Sequence, residues 1–257
     1  MIHPTAIVSP GAEIGDGVEI GPYAIVGDGV VLSARCRVGA HAVLEGPAFF
    51  GEANRIFPHA ALGRAPPDLK YRDERTELRV GARNVFREFL TVHRGTAGGG
   101  GVTSIGDDNY LMAYIHVAHD CRVGSRTIFA NYAALAGHVE IGDDAILEAF
   151  CAVQQFSRVG RHAFIGAMTR CAQDVLPFVK TVGTDVVRTY GVNAIGLRRK
   201  GFPEDRIDRL KEIFRRLTGP KWNTSQALEQ IETDFPGDED AAYVVDFVRT
   251  AKRGVHK

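Results

Sequence analysis

The chain has 257 residues, 45% of them hydrophobic, and 31 lysines plus arginines balance 31 aspartates plus glutamates. This composition supports a buried core, and zero net charge argues against a protein whose whole surface grips nucleic acid. No apolar run approaches the ~18 residues of a membrane span, and the start, MIHPTAIVSPG, lacks the basic and apolar regions of a secretory signal, so a cytoplasmic protein without an integral membrane segment is expected.

From the N-terminus onward, aliphatic or aromatic residues recur every six positions: Val8, Ile14, Ile20, Val26, Leu32, Val38, Leu44, Phe50, Ile56 and Leu62. Glycine often follows, as at Gly15, Gly21, Gly39 and Gly51. Two residues earlier sits something small or compact, such as Ala24, Cys36, Ala42 or Asn54. The phase resumes at Val80, Phe86 and Val92, slips by one residue, and runs from Ile105 to Cys171. A period of six is neither a helical 3.6 nor a plain strand alternation. It predicts a solenoid of short strands joined by tight corners, in which three hexads make one triangular coil. Successive coils then stack at ~4.8 Å, and glycine is expected where corners would strain other residues. Cys36, Cys121, Cys151 and Cys171 fall on small or inward positions without CxxC spacing, so buried free thiols are expected.

Two segments leave the register: 65–77, polar with two prolines, and 94–104, rich in glycine. Loops thrown from a rigid scaffold commonly carry binding residues. The glycine run lacks the strand–GxxxxGK[ST]–helix context of a phosphate loop. After about residue 186 the period ends, giving an expected solenoid over 1–186 and a helical domain over 187–257. Residues 203–217 carry Ile207, Leu210, Ile213, Phe214 and Leu217 at helical spacing, with Pro203 in the first turn. Further helices are predicted from Thr224 and from Asp238, and together they could cap the open end of the solenoid.

The densest polar constellation is IHVAHDC at 115–121, followed by LAGH at 135–138. His116, His119 and His138 are candidate general bases, with Asp120 adjacent. His119, Gly137 and Gln155 are 18 residues apart and should share one column, which sets a base beside a backbone N–H able to stabilise an oxyanion. A three-histidine zinc site is the rival, in the manner of trimeric carbonic anhydrases built on such solenoids. It is disfavoured because His116 and His119, three apart on one strand, should point to opposite faces. A serine nucleophile in a G-x-S-x-G turn is absent.

The combination of VHRGTAGGGG, H-x-AHDC, LAGH, AQDVLPF and YGVNAIGLRRKGF, on a hexapeptide register, resembles the UDP-N-acetylglucosamine O-acyltransferases that begin lipid A synthesis, over nearly the whole chain. The resemblance implies a mainly β fold, a left-handed parallel β-helix with a small C-terminal α-helical domain. It implies a homotrimer that needs no metal or other cofactor. Its substrates would be an acyl carrier protein bearing a 3-hydroxyacyl chain, and UDP-N-acetylglucosamine or a close analogue. In these terms His119 is the base, Asp120 orients it, and Gly137 supplies the oxyanion N–H. His116 and His138 contact the nucleotide-sugar or the acyl group. Asp68 and Lys70 hold the sugar and phosphate region, Gln155 and Asn193 the nucleotide, and Arg199 and Lys200 the diphosphate or the donor. Gln154 stands where the family often has histidine, which removes an ionic role there; Pro67 and Ile195 are further departures. These leave room for a 3-amino acceptor sugar and an N-linked product. Ala167 stands at the acyl-length position, usually glycine in long-chain members, and implies a somewhat shorter chain. Arg198, Arg209, Lys211 and Arg215 could suit an acidic carrier by charge.

Overall fold

A computed structural model describes residues 1–257. The chain winds as a triangular parallel β-helix whose three flat faces are sheets of nine, eight and ten strands. Consecutive strands belong to different faces, so each strand pairs with the one three places on: Ile7–Val8 with Ile25–Val26, then Val43–Leu44. The second residue of most strands points inward. A single core cluster runs the length of the rod through Ile20, Leu44, Phe86, Phe129, Leu147 and Ile165. The small residues two positions earlier, among them Ala24, Ala42 and Cys121, are also fully enclosed, because the corners leave no room for more. All four cysteines are free and buried, and burial pushes the Cys121 thiol up to about 12.

Most of the repeat glycines do a different job from the one expected. Those following the inward residues, Gly63 (φ 78°) apart, have ordinary backbone angles, and their role is close approach: a Cβ on Gly39 would lie 2.7 Å from the nitrogen of Pro58 on the next coil. The left-handed corner conformation is taken by Gly17 and Gly29 (φ 69° each) but also by large side chains, for example Tyr23 (φ 57°), Tyr114 (φ 61°) and Phe150 (φ 60°). Left-handed backbone disfavours residues with a Cβ. Here the same geometry stacks successive rings along the corner, with centroids 4.8 Å apart from Tyr114 to Tyr132 and from Tyr132 to Phe150, which offsets that cost. At another corner a buried ladder runs through Asn54, Asn84 and Asn109, each side-chain oxygen accepting the backbone N–H of the next step.

The first excursion leaves the strand Ala61–Arg64 and rejoins at Glu77–Val80. The second is shorter than the sequence suggested. A 3-10 turn covers Ala97–Gly99, and Val102–Ile105, read as loop through 104, is a strand paired in register with Glu77–Val80.

The last parallel strand, Val179–Val182, is followed by the antiparallel Arg188–Val192. Four helices follow: α1 (Ala194–Arg199), α2 (Glu204–Thr218), α3 (Thr224–Asp234) and α4 (Glu239–Arg249). Pro203 is the N-cap of α2, one residue outside its expected place, and the helix buries the five apolar residues read from its spacing. Asn223 and Gln226 form a capping box on α3. The helices share a second core with Leu176, Phe178 and Val179, so they cover the C-terminal opening of the solenoid. Arg158 fastens them, donating to Asp174, to the Thr250 hydroxyl and to the Phe247 carbonyl.

Asp240, almost fully enclosed, joins Arg161 (2.9 Å) of the solenoid to Arg206 (2.6 Å) of α2. Burial pushes its carboxyl up, but the hydrogen bond from Arg206 and the nearby guanidinium charges outweigh this and hold it below the usual aspartate range. A depressed carboxyl stabilises the fold above its unfolded value, ~3.9, and that contribution is lost as pH falls through the lower folded value. The melting temperature of the wild type should therefore fall more steeply below about pH 4 than that of Asp240→Asn; parallel curves in a pH series of thermal melts would remove this pair from the docking account.

Candidate active site

The histidines gather where the nine-stranded face turns into the eight-stranded one. The strand His116–Val117 ends before the corner, and His119 lies beyond it. His116 and His119 therefore do not alternate along one strand. Asp120 takes the left-handed position (φ 61°), and His138 (φ 61°) repeats it one coil later.

The Asp120 carboxylate is closed off from solvent and held on several sides. The Thr96 backbone N–H donates to Oδ1 (2.8 Å), and the Thr96 hydroxyl donates to Oδ2 (2.7 Å). Its own N–H donates to the Thr103 hydroxyl (2.7 Å). His119 Nδ1 lies 2.7 Å from Oδ2. An ionised carboxylate only accepts, so Nδ1 carries the proton and Nε2 keeps its lone pair. Gly137 packs directly under that ring: a Cβ there would lie 2.7 Å from Cε1 and 2.8 Å from Nε2 of His119. Gly137 as a residue is buried, and its N–H donates to no backbone acceptor, whereas its carbonyl accepts from Phe156. The expected column of His119 and Gly137 is present, and Gln155 follows it, exposed.

His138 stands edge-on to His119 and stacks on Phe156 at 4.5 Å. Its Nε2 is 3.6 Å from Asp120 Oδ2, too long for a hydrogen bond. Burial pulls its pKa down, with the charges of Asp120 and Asp68 only partly opposing. Asp68 thus lies near enough to be felt, although its carboxylate is turned to the Lys70 N–H (2.9 Å) and Lys70 itself is exposed. His116 bonds through Nδ1 to the Thr91 hydroxyl (2.8 Å). Burial, then the neighbouring His93 and His119, lower its pKa. His93, which the sequence reading left without a role, stands 5.4 Å from His116 and donates from Nδ1 to the Ala65 carbonyl. Thr96 was likewise unassigned; the HRGT motif containing both was the available signal.

His119, Asp120 and His138 bring three ligand-type atoms within 4.8 Å of one another. The donor set reads as an orienting hydrogen bond, because His119 Nδ1 and Asp120 Oδ2 engage each other with a proton between them. An open cavity of about 710 Å³ adjoins the cluster, with Asp120, His138 and Phe156 facing Arg122, Lys252 and Arg253. A larger hollow of about 790 Å³ lies near the N-terminus around Ile20, Arg37 and Phe57, away from this cluster.

Other predicted residues lie elsewhere on the chain. Asn193 caps α1, its side chain accepting from the Gly196 N–H and donating to the His162 carbonyl. Lys200 is bound to Asp144 (2.7 Å), while Arg199 is exposed. Lys200 and Asn193 are thereby tied to the corner between the eight- and ten-stranded faces. Ala167 is exposed at the third corner, beside Met168. Gln154 is half-buried next to the Gln155 column. Of the basic residues offered to a carrier, Arg198, Arg209 and Lys211 are paired with Glu204, Asp205 and Asp208, and Arg215 is exposed.

The repeat, the corner histidines and the helical cap define a hexapeptide-repeat acyltransferase. The profile for six hexapeptide repeats of bacterial transferases matches residues 11–46, and the second-domain profile of UDP-N-acetylglucosamine O-acyltransferase matches residues 174–256. Acyl-[acyl-carrier-protein]–UDP-N-acetylglucosamine O-acyltransferase from Stenotrophomonas maltophilia is 45% identical over 98% of this chain and 96% of its own. The protein of that description from Halorhodospira halophila is 46% identical over 99% and 98%. The crystal structure of the UDP-N-acetylglucosamine acyltransferase from Bacteroides fragilis superposes with a TM-score of 0.97 at 36% identity, covering 100% of both chains. The chain belongs to the acyl-[acyl-carrier-protein]–UDP-N-acetylglucosamine O-acyltransferase family, and its fold is the left-handed parallel β-helix with a small C-terminal helical part. No helix is long and apolar enough to cross a membrane.

Proposed function

We propose that this protein transfers a 3-hydroxyacyl chain from acyl carrier protein to the 3-hydroxyl of UDP-N-acetylglucosamine, by direct attack and in the cytoplasm. The observation that carries the reading is His119, tethered through Nδ1 to Asp120, with its Nε2 lone pair beside the unengaged Gly137 N–H. Nε2 removes the proton from the sugar hydroxyl as its oxygen attacks the thioester carbonyl. The Gly137 N–H then stabilises the oxyanion of the tetrahedral intermediate. Collapse breaks the carbon–sulfur bond, and the proton on Nε2 passes to the departing thiolate. Asp120 stays ionised and favours the imidazolium that forms between the two transfers.

His116 and His138, both lowered by burial, suit neutral hydrogen bonding to the acceptor, with Asp68 on the adjoining loop. The nucleotide candidates Asn193 and Arg199, together with Ala167, belong to corners other than that of His119. This supports a homotrimer in which a neighbouring chain brings those corners to each histidine cluster. Lys200 would reach the diphosphate only by leaving Asp144.

The test is a mass-spectrometric transfer assay with UDP-N-acetylglucosamine, its 3-amino analogue, and 3-hydroxyacyl carrier proteins of graded length. Ester product from the hydroxyl sugar is the expected result; amide product alone would change the acceptor, and no product from a folded trimer would defeat the reading. In the same assay Ala167→Gly should move the preferred chain upward by roughly one or two carbons, the reach of a removed methyl. An unchanged length profile would dismiss Ala167 as the ruler.

A further inference from the structure

We infer that Thr96, on the glycine-rich excursion, is a positioning residue that fixes the tautomer and direction of His119 through Asp120; this rests on the reading of His119 as the base. Thr96 is nearly buried and gives both of its donors to one carboxylate, the N–H to Oδ1 and the hydroxyl to Oδ2. The hydroxyl takes one lone pair of Oδ2 and leaves the other, which His119 Nδ1 takes at 2.7 Å. His138 is the next nearest donor to the same oxygen, at 3.6 Å. Without the hydroxyl of Thr96, a small rotation of the carboxylate would let it serve His138 in place of His119. The loop is shaped for this contact. Thr96 caps the 3-10 turn by accepting from the Gly99 N–H, which brings Gly99 so close that any Cβ there would overlap the Asp120 carboxyl. Thr103, at the return of the same excursion, fixes the Asp120 backbone. The insertion is thus a clamp on Asp120.

The variant that isolates the hydroxyl is Thr96→Val, which keeps the branched shape and the backbone N–H; Thr96→Ser keeps the hydroxyl. Thr96→Val should lower kcat ~10- to 100-fold, the usual cost of removing a group that orients a catalytic histidine, with KM for both substrates nearly unchanged. Thr96→Ser should recover most of that loss. The imidazole nitrogens of His119, followed by ¹⁵N NMR, should show the Nδ1–H form in the wild type and in Thr96→Ser, and a tautomer mixture in Thr96→Val. Wild-type kcat with an unaltered tautomer in Thr96→Val would overturn the proposal, as would equal losses in the valine and serine variants. If Thr96→Val does not fold, Gly99→Ala displaces the same carboxylate and should give the same kcat loss and tautomer mixture; an unmoved tautomer there overturns the proposal equally. A fully active His119→Ala would instead sink the underlying assignment of the base, whatever Thr96 does.

Discussion

His119→Ala should lower kcat by ~10² to 10⁴, the span associated with a general base, while leaving the fold intact. The side chain sits at the rim of the rod, outside the continuous core that runs through Val117 and Leu135. After its loss Asp120 keeps both bonds from Thr96 and the bond from its own N–H to Thr103. Removal should therefore leave no stranded buried charge, and thermal melting should change little. Turnover measured at saturating levels of both substrates decides the matter. A variant with near wild-type kcat would mean that another group, with His138 the nearest, takes the proton. The residual activity is informative too, because what survives measures the binding and oxyanion contributions without the base.

The second large effect is expected from one added methyl group. Gly137→Ala places a Cβ 2.7 Å from Cε1 and 2.8 Å from Nε2 of His119, far inside contact distance. Either the imidazole swings away or the corner backbone shifts. Both outcomes separate the base from the N–H beside it. Misplacement of reacting groups on this scale costs on the order of 10²-fold, so kcat should fall to near the level of His119→Ala, with substrate affinity largely kept. Combining the two substitutions gives a sharper check. If the methyl acts by moving the ring, adding Gly137→Ala to His119→Ala should cost little more; if the losses multiply, Gly137 contributes separately through its N–H.

Much of the architecture was legible in the sequence because a solenoid writes itself along the chain. Each inward residue touches residues 18 positions away, so Val26, Leu44 and Leu62 obey one period and can be counted. The same counting set His119 over Gly137. It failed where partners are not one period apart. Thr96 and Asp120 are 24 residues apart, across an excursion that breaks the register, and no spacing rule links them. The role of the glycines was misjudged for a related reason. A glycine after an aliphatic residue looks like a turn residue, but the constraint at Gly39 comes from Pro58 on the neighbouring coil. Likewise the LRRKG run could be read as a basic segment, yet the engagement of Lys200 by Asp144 depends on how α1 docks against a corner some 56 residues earlier in the chain (200 − 144).

The stacking of coils also bears on how such a chain can change in length. Every coil meets only the coils above and below, as the pairing of Val43–Leu44 with Ile25–Val26 on one side and Ala61–Leu62 on the other makes plain. Duplicating or deleting one complete coil ahead of residue 44 would lengthen or shorten the rod by ~4.8 Å and leave the histidine corner untouched. A single-residue insertion between Asp120 and Leu135 has no such freedom. It would advance each later side chain one place around the triangle, turning Leu135 outward and carrying His138 away from Asp120. Heritable change in size is therefore confined to two routes, whole coils at the N-terminal end and excursions at the corners. The histidine-bearing segment in between behaves as a reading frame that tolerates substitution but no shift.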